Sequence, residues 1–235
     1  MKTFAEKVIA FNRQLSFTGK LPEGIRIMNP FKENKEAADV SAQFYRKYYN
    51  DHRKRHIILG INPGRFGAGL TGVPFTDPKR LVEKCGISYH GKSAHEPSSV
   101  FVYEMIEAYG GMESFYQSFF INSVSPLGFT IDKSDNRIIN YNYYDSKELT
   151  EDVLPFIIQS IRQLIKLGIH TELVFCFGTG KNEQFLHKLN NRYGFFKEIV
   201  ALEHPRFIMQ YKSRTKEVYV NKYLSAFGKI NHKSA

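Results

Sequence analysis

The chain has 235 residues, of which 42% are hydrophobic, and a formal net charge of +10 with a pI near 9.4. This composition supports a sizeable core and excludes intrinsic disorder, and two cysteines, Cys85 and Cys176, are too few for a disulfide framework or a four-cysteine iron–sulfur site. The chain lacks a cleavable apolar leader and any run approaching the ~20 apolar residues of a bilayer span. We therefore expect a soluble intracellular protein, in the cytoplasm or nucleoid if bacterial. The positive charge favours a polyanionic partner, nucleic acid before an anionic membrane, although a merely basic soluble protein has the same charge.

Two helices are predicted in the first fifty residues, because apolar side chains recur there at helical spacing. They comprise Phe4, Val8, Phe11 and Leu15, followed by Ala37, Val40, Phe44 and Tyr48. After the first fifty residues, the spacing of the apolar side chains changes. Four short, nearly continuous apolar runs predict strands that are buried on both faces of a parallel sheet, at residues 56–61, 119–121, 173–177 and 199–202.

Helices are predicted between and after these strands, from apolar stripes over residues 100–109, 154–165, 185–189 and 218–227. Asp152 is the expected N-cap of the second, because it would place Pro155 in the first turn, where a missing N–H is harmless. Residues 130–147, rich in Asn, Asp and Tyr, are predicted to be the longest loop. The alternation predicts one three-layer α/β/α domain around a central four-stranded, mainly parallel sheet, with N-terminal helices over 1–50 and a core over 57–227.

The segments that follow the four strands are the candidates for a site, because ligands of open parallel sheets bind beyond the carboxyl ends of the strands. After the first strand, residues 62–75 are rich in glycine and include aromatic side chains that can stack on a base. A structural turn with Phe66 and Phe75 in the core is the alternative. Residues 122–127 follow the second strand.

The third and fourth strands are followed by weaker signals. The turn at 178–181 opens a helix whose free N–H groups can bind phosphate, although a plain strand-to-helix turn fits equally well. It is not a Walker A loop, because that motif needs glycine where Val174 stands. His204 follows the fourth strand and precedes Pro205. A lone histidine is more often structural, but this placement favours a functional role.

Residues 60–67, Gly-Ile-Asn-Pro-Gly-Arg-Phe-Gly, followed by Thr-Gly-Val-Pro-Phe at 71–75, resemble the first motif of the uracil-DNA glycosylase superfamily, specifically its single-strand-selective monofunctional branch. The dipeptide at 204–205 is similar to the second motif of that superfamily, and the segments 125–127 and 178–181 match in order and spacing. The resemblance covers roughly residues 57–227. It implies a monomer that hydrolyses uracil from DNA in base excision repair and leaves an abasic site, without a metal or cofactor. No lysine occupies a catalytic position of the motif, so a Schiff-base lyase is not expected.

The same resemblance implies roles for individual residues. Asn62 takes the water-positioning place, and His204 that of the donor to uracil O2 as negative charge develops there. A neutral amide is a poor base, so most of the rate must come from stabilising the leaving group. Phe75 takes the stacking position. The remaining implied contacts are Ile61, Gly64, Phe66 and Ser123 in the base pocket, and Ser125, Pro126, Gly178, Gly180, Lys181, Arg206 and Phe207 with DNA.

Two departures from the family pattern leave alternatives open. Ser123 stands where the family commonly reads the uracil edge with an asparagine, while Asn122 is expected to point to the opposite face of the strand. Residues 206–209 replace a longer wedge, and their apolar tip is expected to enter the base stack and hold the flipped base out. Ser123 makes action on other deaminated bases, xanthine or hypoxanthine, an alternative. A non-catalytic nucleic-acid-binding protein of the same fold is a second one.

Overall fold

The computed structural model describes residues 1–133 and 137–230 of the chain. Its strands are β1 (Ile25–Met28), β2 (Arg55–Gly60), β3 (Phe119–Ser123), β4 (Gly128–Asp132), β5 (Ile138–Tyr141), β6 (Ile169–Phe177) and β7 (Glu198–Leu202). Its helices are α1 (Phe4–Gln14), α2 (Pro30–Glu33), α3 (Lys35–Tyr49), α4 (Ala68–Thr71), α5 (Pro78–Glu83), α6 (Pro97–Ala108), α7 (Gly111–Ser118), α8 (Lys147–Lys166), α9 (Lys181–Tyr193), α10 (Pro205–Tyr211) and α11 (Lys216–Phe227), with 3-10 turns at Ser213–Thr215 and Gly228–Ile230.

The central sheet contains the four predicted strands, all parallel, in the order β3-β2-β6-β7. Every residue of β2 and β3 is buried. Helices cover both faces of a sheet of this kind, so its strands are continuously apolar rather than alternating. The prediction of an α/β/α architecture around a four-stranded sheet is confirmed.

A second, smaller sheet was not predicted. Strands β1, β4 and β5 pair antiparallel in the order β1-β4-β5, with Phe129 opposite Tyr141. The prediction of one long loop over 130–147 was therefore wrong, although residues 134–136 lie outside the described residues. Each strand has only four or five residues, and β5 is exposed or only partly buried, so its short Ile-Ile-Asn-Tyr run did not stand out from the Asn-, Asp- and Tyr-rich segment that contains it.

Helix α8 begins earlier than predicted. Its N-cap is Ser146, whose hydroxyl accepts the Leu149 N–H at 3.1 Å, and not Asp152. Pro155 consequently lies inside the helix rather than in its first turn. The helix continues through this proline because its apolar face, including Val153, is buried against the core on both sides of it. No described helix combines the length and hydropathy needed to cross a bilayer.

The N-terminal helices share the core of the central sheet. The Tyr49 hydroxyl donates to the Phe119 carbonyl oxygen at 3.0 Å, at the start of β3. Arg55, the first residue of β2, is fully buried; its guanidinium binds Asp51 and lies 4.9 Å from the centre of the Phe4 ring. A buried charge requires such pairing. These contacts fix α1 and α3 against the amino ends of the strands, opposite the edge where ligands of such sheets bind.

Candidate active site at the carboxyl edge of the sheet

A cavity of about 260 Å³ opens beyond the carboxyl ends of β2, β3 and β7. The structure brings eight of the residues predicted from sequence to its wall. The segment after β2 contributes Ile61, Asn62, Gly64 and Phe75. The segments at the ends of β3 and β7 contribute Ser123, His204, Arg206 and Phe207. Residues that follow separate strands thus line one cavity.

The Asn62 amide is held in one orientation by the backbone at the end of β5 and just beyond it. Its Oδ1 accepts the Tyr143 N–H at 3.1 Å, and its Nδ2 donates to the Tyr141 carbonyl oxygen at 3.2 Å. A carbonyl oxygen has two lone pairs, so Oδ1 retains one with which to accept a bond from water. The side chain can orient a water molecule but cannot take its proton.

His204 is the N-cap of α10, and this role fixes its tautomer. Its Nδ1 accepts the Arg206 N–H at 3.1 Å, which requires Nδ1 to be unprotonated. Burial, with the positive charge of Arg206, lowers the pKa of the imidazole to about 4. At neutral pH the ring is therefore uncharged and carries its proton on Nε2, which makes it a hydrogen-bond donor that needs no proton from solvent.

Phe75 packs against the imidazole, with the two ring centres 5.5 Å apart. Its backbone is left-handed, with φ of 52°, an uncommon conformation for a non-glycine residue. Its ring also lies close to Gly60, where an added Cβ would come within 3.2 Å of the ring carbons. The glycine at the end of β2 thus leaves room for an aromatic wall of the cavity.

Ser123 reaches the candidate-site cavity and Asn122 does not. Ser123 lines both that cavity and a small neighbouring one of about 20 Å³, while Asn122 lines only the small one. The Asn122 Oδ1 accepts the Ser123 N–H at 2.8 Å. Among the described residues the Ser123 hydroxyl has no hydrogen-bond partner, so it is available to a ligand.

Six predicted site residues do not line the cavity: Phe66, Ser125 and Pro126, and also Gly178, Gly180 and Lys181, which line an adjoining groove. Phe66 is 39% exposed, and the Arg65 guanidinium lies 4.3 Å from its ring centre. Ser125 is fully buried and donates to the Leu127 carbonyl oxygen at 2.8 Å, so a DNA contact through its side chain is not expected. Pro126 reaches only the small cavity behind β3. Phe66 is better placed for the rim than for the base pocket.

The turn at 178–181 lines an open groove of about 320 Å³ that adjoins the cavity and shares His204 and Phe207 with it. Gly178 has a φ of 122°, and Gly180 is the N-cap of the thirteen-residue helix α9. The Lys181 ammonium lies 5.9 Å from the centre of the Tyr144 ring. Free N–H groups and a lysine beside the cavity suit an anionic ligand.

The segment predicted to be a wedge is helical. Residues 206–209 belong to α10, in which Ile208 is fully buried and Phe207 is 41% exposed. Tyr211, one turn later, is 64% exposed, and the ring centres of Phe207 and Tyr211 are 5.4 Å apart. An aromatic pair on a helix therefore borders the cavity in place of an apolar loop tip.

Sequence reasoning missed several polar residues of the cavity wall, among them Glu96, Ser98 and Asn140. Asn140 lies on the unpredicted strand β5, and its Oδ1 accepts the Arg65 N–H at 3.0 Å. Glu96 is the N-cap residue of α6, but its side chain makes no cap hydrogen bond. A glutamate before Pro-Ser-Ser offers no signal that separates it from other surface carboxylates.

The chain belongs to the uracil-DNA glycosylase superfamily, whose family model, "Uracil DNA glycosylase superfamily", matches residues 46–228. It is a DNA glycosylase, a hydrolase. The crystal structure of wild-type SMUG2 from Pedobacter heparinus is similar to it, with 60% sequence identity, a TM-score of 0.97, and coverage of 99% of this chain and 100% of that chain. No curated protein sequence matches the chain. The resemblance inferred from the two motifs is thereby confirmed.

Proposed function

We propose that the protein hydrolyses the bond between uracil and deoxyribose in DNA, leaving an abasic site for base excision repair. The observation that carries this proposal is the pairing of Asn62 with His204 in one cavity. The two residues follow different strands, and the backbone fixes the orientation of both side chains. Preorganised dipoles of this kind stabilise charge that develops during a reaction without reorganising at that moment.

In the proposed reaction, negative charge develops on the base, where a hydrogen-bond donor of the cavity can stabilise it. As the glycosidic bond breaks, its electron pair leaves with the base, and negative charge accumulates on uracil O2. The neutral His204 donates its Nε2–H to that oxygen. Asn62 accepts a hydrogen bond from the water that attacks the sugar carbon. Phe75 stacks on the base, and the Ser123 hydroxyl bonds to its edge.

DNA is the expected partner, and the rim of the cavity supports this part of the proposal. A flipped nucleotide needs a contact that occupies the vacated stack and cations that hold the flanking phosphates. Phe207 and Tyr211 can occupy the vacated stack, and Lys181 and Arg206 can hold the flanking phosphates. The net charge of +10 adds long-range attraction to the strand.

A second substrate class is favoured by one observation. Ser123 supplies a single hydroxyl, without a protein partner among the described residues, where an amide would bind the uracil edge at two points. A hydroxyl can donate or accept, so it tolerates different edges. Gly64, which lines the same cavity, adds no side chain to it. Xanthine and hypoxanthine are therefore the second candidates.

The test is incubation with labelled oligonucleotides that each carry one uracil, xanthine or hypoxanthine, in single and double strands, followed by alkaline cleavage of abasic sites. Uracil excision is expected in the wild type, and Asn62→Ala should lose most of it while still binding DNA. Binding of every oligonucleotide without any excision would instead support the non-catalytic alternative. Excision of purine lesions alone would replace uracil by the second class.

A further inference from the structure

Glu96 is a buried carboxylate in the cavity whose full hydrogen-bonding capacity the protein does not use. Its Oε2 is inaccessible to solvent and has no hydrogen-bond partner. Among the residues that line the cavity, Glu96 is the one with an acidic side chain. An unpaired buried oxygen of this kind costs free energy, so its retention calls for an explanation.

The carboxylate lies against the same turn that carries Asn62. A Cβ added at Gly64, two residues after Asn62, would come within 3.1 Å of Glu96 Oε1. A Cβ at Gly67 would overlap the Glu96 carboxylate. Both glycines therefore leave room for this side chain beside the end of β2, where the attacking water must be held in the proposed reaction.

We propose that Glu96 is the general base of the reaction, accepting the proton of the water that Asn62 orients. This inference rests on the proposed glycosylase function. The water oxygen bonds to the sugar carbon as the carbon–nitrogen bond breaks, and the bonding pair leaves on the base, which accepts the hydrogen bond of His204. The water proton goes to the Glu96 carboxylate. Glu96 then releases it to solvent, and the base anion takes a proton from solvent.

The surroundings of Glu96 suit this task. Burial, with the negative charge of Asp77 at the start of α5, raises the pKa of the carboxyl to about 7, against the opposing effects of Arg206 on α10 and a hydrogen bond with Ser98 on α6. A base works best when its pKa is near the working pH. His204, in the same cavity, has its pKa lowered instead. When two titratable groups in one site have pKa values shifted in opposite directions, they are the candidates for its proton acceptor and its hydrogen-bond or proton donor.

Two side chains lie against the Asp77 carboxylate. The Arg80 guanidinium is 3.3 Å from the Asp77 carboxylate and offsets part of its negative charge. His95 Nδ1 is 3.5 Å from the same carboxylate, and its side chain is exposed. His95→Gln leaves the residues of the cavity wall unchanged and therefore serves as a control for a change beside Asp77 that does not touch Glu96.

The experiment compares single-turnover excision of uracil by the wild type and Glu96→Gln across a pH series. The wild-type rate should rise with pH through about 7, because Glu96 must be ionised to accept a proton. Glu96→Gln should lose on the order of 10²- to 10³-fold in rate, bind the oligonucleotide with unchanged affinity, and lose this pH dependence. Glu151→Gln, an exposed glutamate of α8, is the matched control and should match the wild type.

If Glu96→Gln folds poorly, chemical rescue of an alanine variant tests the same general-base role. Glu96→Ala should regain excision when sodium formate is added, since formate can enter the vacated space and accept the proton. A near-normal rate and pH profile in Glu96→Gln, or no rescue of a folded Glu96→Ala, would overturn the role of Glu96. Absence of uracil excision by the wild type would overturn the proposed function itself, and the general-base role with it.

Discussion

His204 caps helix α10 and, in the proposed reaction, donates a hydrogen bond to the base; a pair of substitutions can separate these two roles. As the N-cap of α10 it accepts the Arg206 N–H, and as a neutral ring it presents Nε2–H to the cavity. Serine is a good N-cap residue but is too short to replace the second function, whereas alanine replaces neither. Both variants should therefore lose about 10²–10³ in excision rate, equivalent to about 2.7–4 kcal/mol of lost charge stabilisation.

Stability should distinguish the same two variants. Both lose the contact with the Phe75 ring, but only His204→Ala also loses the cap, which is worth about 0.5–2 kcal/mol. The measurements are single-turnover excision rates and urea unfolding of the wild type and both variants. A serine variant that excises uracil at a near-normal rate would refute the donor role. Rates that follow the stabilities would show that His204 acts only through α10.

The lowered pKa of His204 adds a pH dependence to this comparison. The folded protein holds the pKa at about 4, against 6.5 for the ordinary group, so the unfolded chain binds more protons between these values. Stability therefore rises with pH across this window; the contribution is complete above about 6.5 and is lost as pH falls towards 4. Unfolding at pH 7 and pH 5 should show a smaller difference in His204→Ser than in the wild type. Equal differences would contradict a buried neutral imidazole.

Three further predictions concern DNA, the base and the fold. Lys181→Ala should reduce the slope of log affinity against log salt by about one if the 178–181 turn holds a phosphate, and an unchanged slope would exclude that contact. Ser123→Ala should slow uracil excision on the order of tenfold, since one neutral hydrogen bond contributes about 0.5–1.5 kcal/mol. Ser123→Asn should keep uracil excision while lowering any excision of xanthine, and an unchanged ratio of the two rates would exclude the reading role. Ser146→Ala should lower the free energy of unfolding by about 0.5–2 kcal/mol, whereas Asp152→Ala should leave it unchanged; the reverse order in urea titrations would contradict the observed start of α8.

The parallel sheet could be predicted from sequence because burial on both faces produces continuous apolar runs, as in β2 and β3. The antiparallel sheet could not. Strands β1 and β5 are four residues long and lie partly in solvent, so their Ile-Arg-Ile-Met and Ile-Ile-Asn-Tyr runs are too short to establish a period. The start of α8 was misplaced because Pro155 was given a first-turn position, while packing of Val153 against the core holds the helix together around it.

The residues of the candidate site likewise fall into those that could be predicted from sequence and those that could not. Asn62 and His204 stand in segments that follow strands of the sheet, whose carboxyl ends meet by topology, and the resemblance to two family motifs singled them out within those segments. Glu96 and Asn140 come from a helix start and from the unpredicted sheet, and only tertiary packing brings them to the cavity. Ser125 shows the converse, since the family resemblance implied contact with DNA while its side chain is buried in a turn.

The two hydrogen bonds of the Asn62 amide make the antiparallel hairpin a structural support of the proposed active site. Tyr141 ends β5 and Tyr143 follows it, so the path of the hairpin sets the angle at which the amide faces the cavity. Changes near residue 138 are separated from this anchorage by paired strand, while a single insertion between 141 and 143 would shift both anchor points at once. We therefore expect substitutions and insertions to impair activity more strongly in the last few residues of this hairpin than earlier in it. Variants of altered hairpin length should retain activity only when residues 141–143 are left intact.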